Sequence, residues 1–491
     1  MKYYSLKYYS LNYNILNYGV IIFTDFVHCK NAIFINMNNF VDRKKELTFL
    51  NDEYKRKGSS FVVLYGRRRN GKTTLIKKYL ENKNGIYFLA TEENDEVNKA
   101  SLLRLVLNKY PSKYELKINT WEDIFKYIVD NDKKPVIVID EFQYLGMVNQ
   151  AFPSIFQKIW DNILKDTNAK VIICGSLVNM MYSQALNYSS PLYGRRTGQI
   201  RLSQVDYEWT KYFYKKANEK QLMEYYAVTG GVPRYIEIFK DSYNLYDAIE
   251  KNILDKNSLL YLEPEFILKK EVKEIGNYFS IIRAIAEGAR KISEISIKLN
   301  MKQTGITFYL NTLQELDLVK REVPITERNN AKSKKGLYKI NDNFICFWFK
   351  FVYPYKDFLE IGNIAYVRNV IEKKFVENHM SYVYEDICRE KLFKKYIKKI
   401  NKIGKWWDKN NEIDIVGVND DEKYVVCAEC KYKSKKIGVD VLNSLIDKSD
   451  KINEYKNYKK EYVIYSLSGF DSKLLKIAKQ MKNVKLEKEG N

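Results

Sequence analysis

Apolar and polar positions along this chain alternate between two periods. Short apolar, β-branched runs fall near residues 61–66, 85–90, 135–140, 170–175 and 198–203, and stretches with apolar residues every three to four positions separate them. Strands apolar on both faces, alternating with amphipathic helices, predict a mostly parallel sheet covered on both sides. Beyond residue 270 the pattern changes. Segments 281–287, 291–299 and 302–316 have the lengths and short turns of a helical triplet, and two strands follow around a polar loop at 327–336; this is the pattern of a winged helix. Ile306, Leu310, Leu313 and Leu316 form the predicted buried stripe of the third helix. Lys302, Gln303, Thr304, Thr307 and Tyr309 are expected on its open face, and Arg328, Lys332, Lys334 and Lys335 in the wing suit phosphate contacts. Further on, 411–418 and 423–431 alternate with a period of two around an Asn-Asp-Asp-Glu turn, which predicts an antiparallel hairpin.

The first apolar run flows into Gly66-Arg67-Arg68-Arg69-Asn70-Gly71-Lys72-Thr73-Thr74. The spacing G-x-x-x-x-G-K-T between a strand and a helix is that of a loop which binds the phosphates of ATP or GTP. Its glycines let successive N–H groups point at phosphate oxygens, and the helix presents its positive dipole end. Residues 66–74 are the expected nucleotide contacts, with Lys72 reaching the β and γ phosphates and the Thr73 hydroxyl ligating Mg²⁺. The third run ends in Asp140-Glu141, which places two carboxylates at the carboxyl end of a buried strand, where open α/β sheets bind ligands. Asp140 is expected to hold Mg²⁺ through water. Glu141 is expected to orient and polarise the attacking water, which points to hydrolysis rather than binding alone. Because the acidic strand is third in sequence, an extra strand should separate it from the phosphate-loop strand, as in the ATPase branch that includes AAA-type machines. Ser176, at the end of the fourth strand, reads equally as a sensor of γ-phosphate or water and as a helix N-cap.

These motifs, together with Gly175-Ser176-Leu177-Val178-Asn179-Met180-Met181, Pro191-Leu192-Tyr193-Gly194-Arg195-Arg196 and Gly231-Val232-Pro233-Arg234-Tyr235, resemble the archaeal ATPase family within the signal-transducing STAND class of P-loop NTPases. The resemblance spans residues 40 to 260. It implies that Phe40-Val41-Asp42-Arg43 lies near the adenine, that the Gly-x-Pro element closes over nucleotide from a helical lid, and that Arg195 or Arg196 approaches the γ-phosphate. Members of that family commonly continue into a winged helix and a restriction-endonuclease-like domain.

In the C-terminal hairpin the period of two puts Glu412 and Asp414 on one face, and Glu429 and Lys431 likewise share a face. Asp414 and Glu429 are thus predicted to ligate a hard cation together, with Lys431 positioning a water or lowering its pKa. The arrangement resembles the PD-(D/E)XK nuclease superfamily; Glu385 matches its helix-borne acid, and Ile413 stands where its proline is expected. Lys391, Lys394, Lys395, Lys398, Lys399 and Lys402 fall at helical spacing opposite Leu392, Phe393, Tyr396, Ile397 and Ile400. That helix reads either as a basic face for a phosphate backbone or as a plain solvated one.

A chain of 491 residues has room for about three domains. The expected division is a non-globular extension at 1–36, a P-loop ATPase core at 37–210, a helical lid at 211–270, a winged helix at 271–355 and a nuclease-like α/β domain at 365–491. Lys and Arg number 83 against 61 Asp and Glu, a formal net charge of +22; this favours DNA as a partner, although Lys is abundant everywhere along the chain. Six cysteines, at 29, 174, 346, 388, 427 and 430, suggest no disulfide framework and fit a reducing cytoplasm. Cys427 and Cys430 lie in a predicted strand and read as packing rather than zinc ligation. With His28 and His379 as the two histidines, chemistry that needs a histidine base or a histidine-rich metal site is not expected. No apolar run reaches the ~18 residues of a membrane span. Lys2-Tyr3-Tyr4-Ser5-Leu6 recurs as Lys7-Tyr8-Tyr9-Ser10-Leu11, and globular patterning begins after Met37, the expected natural start. The sequence therefore predicts a Mg²⁺-dependent ATPase whose nucleotide state controls DNA-binding and nuclease-like domains, with a protein partner or self-association also open. The alternative is a nucleotide-dependent signalling scaffold whose C-terminal domains bind protein.

Overall fold

All five apolar runs of the N-terminal half become strands: β1 (Ser60–Tyr65), β2 (Gly85–Leu89), β3 (Val136–Asp140), β4 (Lys170–Gly175) and β5 (Gly198–Arg201). They pair in parallel in the order β2-β3-β4-β1-β5. β4 is therefore the inserted strand between the phosphate-loop strand and the acidic strand. Every residue of β3 and β4 is buried, as a sheet with helices on both faces requires. The helices Trp121–Asn131 and Phe152–Ile159 bury Phe125 and Phe152 against Phe156, which packs on Phe61 of β1. Thr120 and Asp123 close a capping box at the first of these.

The computed structural model describes residues 40–114, 116–240, 242 and 244–489, and it divides into two compact units, 1–43 and 44–491. In the first, Asp42 and Arg43 take left-handed φ values of 62° and 77°. The repeat and Met37 lie outside the described residues.

After β5 come the helices Glu219–Thr229, Pro233–Phe239, Leu245–Ile249 and Glu263–Glu271, at the place expected for the lid. Gly231, before the second, has no room for a side chain, because a Cβ there would stand 1.8 Å from the Val205 carbonyl oxygen. The Val205 N–H donates to the Gly231 carbonyl at 2.7 Å. A triplet follows, Ile275–Ala286, Ile292–Leu299 and Gln303–Glu315, and then the antiparallel pair β6 (Val319–Glu322) and β7 (Leu337–Ile340). Ile306, Leu310, Leu313 and Leu316 are buried as the periodicity requires. Tyr309 departs from expectation: it is half-buried, its hydroxyl accepts from Asn277 at 2.7 Å, and Phe308 takes the open position instead.

The C-terminal third is a mixed sheet in the order β12-β11-β10-β9-β8, formed by β8 (Lys402–Trp407), β9 (Glu412–Asn419), β10 (Tyr424–Lys431), β11 (Lys459–Ser466) and β12 (Val484–Lys488). β9 and β10 are the antiparallel hairpin; β10, β11 and β12 run parallel. The helix Ser381–Tyr396 covers one face, while Val439–Asp450 and Ser472–Gln480 cover the other. Cys427 packs into one of these layers and Cys430 into the other, so the two thiols cannot share a ligand and the packing reading holds. The basic face does not form. The helix ends at Tyr396, Lys402 begins β8, and Lys391, Lys394 and Lys395 are each paired with glutamates.

A single apolar cluster runs from Val178 through the helices between Glu219 and Glu271, the triplet and the helix Ser381–Tyr396 to Tyr465. The regions expected as separate domains are thus joined by one core. Among the described residues no helix is long and apolar enough to cross a membrane.

Candidate functional site

β1 delivers the chain into the glycine-rich loop. Gly66 has φ of 149°, and a Cβ there would stand 2.4 Å from the Leu202 carbonyl oxygen. Asn70, almost fully buried, donates to that same oxygen at 3.0 Å, so it pins the loop to the end of β5. Gly71 takes the left-handed φ of 88° at the N-cap of the helix Lys72–Leu80, and no side chain caps that end. The free N–H groups of the first turn therefore form an anion site. Lys72 is buried and donates to the Gly66 and Arg67 carbonyl oxygens at 2.7 and 2.9 Å. Burial lowers its pKa, against the opposing pull of Cys174, Glu141 and Asp140. An anion delivered to this ammonium would offset that cost.

The Thr73 hydroxyl donates to Asp140 Oδ2 at 3.0 Å, and the Tyr87 hydroxyl donates to the same oxygen at 2.7 Å. A hydroxyl beside a carboxylate is a hard, all-oxygen donor set that fits Mg²⁺. Thr74 is exposed on the next position. Glu141 has φ of 55°, a conformation that side chains of its size rarely adopt and that turns it out of the strand. Its Oε2 accepts from Ser176 Oγ at 2.7 Å, the Ser176 N–H at 3.2 Å and Gln143 Nε2 at 2.6 Å. Ser176 caps no helix; Leu177 is the N-cap residue of Val178–Met181. Its hydroxyl belongs instead to the carboxylate at the end of β3.

The three consecutive arginines of the loop separate. Arg67 donates at 2.7 Å to Asp342, a fully buried residue that also caps the helix Asn343–Phe351 through the Ile345 N–H at 2.8 Å. Arg69 pairs at 2.9 Å with buried Glu263, which accepts from Tyr235 at 2.8 Å. Arg68 is exposed and donates to Ser176 Oγ at 3.3 Å and the Tyr144 hydroxyl at 2.5 Å. Asp342, Glu263 and Tyr87 escaped sequence reasoning, since none belongs to a motif and their approach depends on how distant helices and strands pack, while Gln143 lies at the end of the acidic motif with no role assigned to it. Arg195 is held by Asp161 at 2.7 Å, and Arg196 stacks over Tyr193 at 5.3 Å.

A second cluster lies on β9 and β10. Asp414 and Glu429 are both more than nine-tenths buried. Asp414 accepts from the Cys430 N–H at 2.8 Å, Lys431 lies 2.9 Å from Glu429 and 3.8 Å from Asp414, and Lys448 lies 3.1 Å from Glu429. Burial, and then the charges of Glu385 and Glu429, push Asp414 up to about 7. Burial works against the Lys431 charge, but Asp414 and Glu429 outweigh it and raise its pKa. Glu429 Oε2 is buried without a hydrogen-bond partner. Crowded carboxylates and an orphaned oxygen fit a divalent cation. Glu385 is turned to Lys405, which also lies 3.2 Å from Glu412; neither Lys405 nor Lys448 was foreseen. Elsewhere Asp206, Glu208 and Glu390 bring their oxygens within 4.8 Å of one another, but Lys394 already pairs with two of the three.

The model of a family described as an ATPase domain predominantly from Archaea matches residues 40–239, and that of archaeal and bacterial proteins of unknown function matches 348–441. The chain is 37% identical over 409 residues to the uncharacterized protein MJECL04 of Methanocaldococcus jannaschii, covering 81% of this chain and 88% of the relative. It is 22% identical over 361 residues to the uncharacterized ATP-binding protein MJ1076 of the same organism, covering 69% and 92%. Among solved structures, the Walker-type ATPase PABY2304 of Pyrococcus abyssi aligns with a TM-score of 0.51 at 21% identity, over 64% of this chain and 97% of that one. That last likeness is one of fold.

Proposed function

This chain belongs to the archaeal ATPase family, and from that premise we propose that it binds ATP with Mg²⁺, hydrolyses it, and uses the nucleotide state to control its C-terminal regions. The observation that carries the reading is the 3.0 Å approach of the Thr73 hydroxyl to the Asp140 carboxylate, with Lys72 buried beside them and Glu141 one residue on. Thr73 and Asp140 would hold Mg²⁺, which neutralises phosphate charge when bound. Lys72 exchanges its two carbonyl contacts for phosphate oxygens. Glu141, oriented by Ser176 and Gln143, takes the proton of the attacking water.

Two ion pairs, each with its acid buried, offer the route outward. Arg69–Glu263 ties the loop to the lid, and Arg67–Asp342 ties it to the helix that follows the hairpin β6–β7. On this reading residues 37–210 are the catalytic core, 211–270 the lid, 271–355 a winged helix and 365–491 a PD-(D/E)XK nuclease-like domain, in a cytoplasmic protein of the STAND type. Exposed Arg328, Lys332 and Lys334 in the loop between β6 and β7 suit phosphate contacts of DNA. Asp414 and Glu429 would hold the metal of the nuclease-like site beside Lys431.

A specific observation favours the second reading, the signalling scaffold. Ile297 is 83% exposed and Phe308 64% exposed on the triplet, an apolar pair better suited to a protein partner than to a phosphate backbone. A gel shift on duplex DNA with and without ATP separates the two. ATP-dependent retardation supports the DNA reading, and a free duplex under both conditions supports the scaffold.

A further inference from the structure

We propose that Arg68 is a catalytic arginine supplied by the phosphate loop itself, with its guanidinium contacting the γ-phosphate and stabilising the charge that develops during transfer to water. The inference rests on the ATPase reading and adds to it a residue whose charge acts in the transition state.

Arg67 and Arg69 are consumed by buried acids, Asp342 and Glu263. Of Arg195 and Arg196, which the family resemblance brought toward the γ-phosphate, Arg195 is consumed by Asp161 through a two-point contact and Arg196 stacks over Tyr193 outside the phosphate loop. Arg68 differs. Among the described residues no carboxylate lies within ion-pair distance of it; its partners are two neutral hydroxyls, Ser176 and Tyr144. Glu92, whose charge Arg68 feels at longer range, is paired with Lys270 at 3.1 Å. Among the described residues, the loop therefore carries one exposed guanidinium that no carboxylate pairs with directly.

Its position is equally specific. Ser176 Oγ, 3.3 Å from Arg68 Nε, donates to Glu141 Oε2 at 2.7 Å, so a single hydroxyl joins the guanidinium to the carboxylate that takes the water proton. Neutral anchors hold the group on the water side of the site without cancelling its charge. In the reaction, water oxygen bonds to the γ-phosphorus and the bond to the β–γ bridging oxygen breaks, leaving its electron pair on ADP. The water proton passes to Glu141, and Arg68 keeps all of its own protons, as guanidinium does throughout the accessible pH range. Donors fixed where charge develops contribute roughly 10²–10³-fold each, and an arginine in this role reaches about 10³–10⁵-fold.

The test uses the full-length protein, Arg68→Ala and Arg68→Lys, with folding checked by thermal melting. Three quantities are read: kcat for ATP, affinities for ATP and ADP, and trapping of MgADP by aluminium fluoride. The expected result is a fall in kcat of about 10²-fold or more in Arg68→Ala, loss of fluoride trapping, loss of any preference for ATP over ADP, and ADP affinity within about threefold of wild type. Arg68→Lys should recover part of the trapping. Wild-type turnover and trapping in Arg68→Ala would overturn the proposal, as would equal losses of ATP and ADP affinity, which would make Arg68 a structural anchor. If the wild type itself fails to hydrolyse ATP, the ATPase reading falls separately. The ATP-over-ADP preference then decides, its loss in Arg68→Ala supporting a γ-phosphate contact and its retention overturning one.

Discussion

Arg67 and Asp342 are far apart in sequence yet meet at 2.7 Å in the interior, one from the phosphate loop and the other from the cap of the helix after the hairpin β6–β7. Gln204 also donates to the same Asp342 oxygen. Breaking such a buried pair by removing one partner leaves a charge without compensation and costs on the order of 3–5 kcal/mol. Asp342→Ala also removes a cap, for about another 1 kcal/mol. Denaturant titration should show this loss, and nucleotide affinity should change with it, because the stranded guanidinium belongs to the loop. An unchanged midpoint and unchanged affinity would remove the proposed link between loop and C-terminal regions.

The pH dependence of Asp414 has a definite sign. Its folded pKa of about 7 stands above the unfolded value of about 3.9. Between those values the unfolded chain has released the proton and the folded chain retains it, so stability is lost as pH rises through that window. At about 1.4 kcal/mol per unit the difference reaches at most about 4 kcal/mol. Wild type and Asp414→Asn should therefore be equally stable near pH 4, and the variant should be the more stable above pH 7 in metal-free buffer. Denaturation midpoints across that range check it; parallel curves would mean that Asp414 is not crowded by Glu385 and Glu429. Mg²⁺ or Mn²⁺ should stabilise the wild type above pH 7 and the variant far less.

If the C-terminal sheet is a working nuclease, Mg²⁺ or Mn²⁺ supports cleavage of duplex DNA, and Asp414→Ala or Lys431→Ala abolishes cutting while DNA binding largely survives. Binding should weaken steeply with salt as counterions are released. A cleavage assay across metals, with and without ATP, reads both. Absence of cutting under every condition, with salt-insensitive or absent binding, would favour the scaffold.

Local pattern carried the strands, the glycine loop, the acidic strand end and the hairpin of Asp414 and Glu429, because strand periodicity and motif spacing are properties of neighbouring residues. What stayed hidden depends on the fold. Asp342 and Glu263 answer the loop arginines only once the helices Glu263–Glu271 and Asn343–Phe351 are packed beside the loop. The lysines of 391–402 read either as a basic helical face or as a plain solvated one, but Glu219, Glu489 and Glu487 reach them from distant segments and the helix ends before the run does. Phe308 rather than Tyr309 takes the open position because Asn277 captures the tyrosine hydroxyl. The one core shared by the helices between Glu219 and Glu271, the triplet and the helix Ser381–Tyr396 is likewise invisible to periodicity, which shows that a face is apolar but not what covers it.

The central claim is that the site at Lys72, Thr73, Asp140 and Glu141 hydrolyses ATP with Mg²⁺. Phosphate release at saturating ATP, measured beside nucleotide binding for the wild type, Lys72→Ala and Glu141→Gln, tests it most directly. The account predicts Mg²⁺-dependent turnover by the wild type, loss of productive binding in Lys72→Ala, and retained binding with turnover reduced by about 10²-fold or more in Glu141→Gln. Wild-type turnover in both variants, or no ATP binding by the wild type, would contradict it.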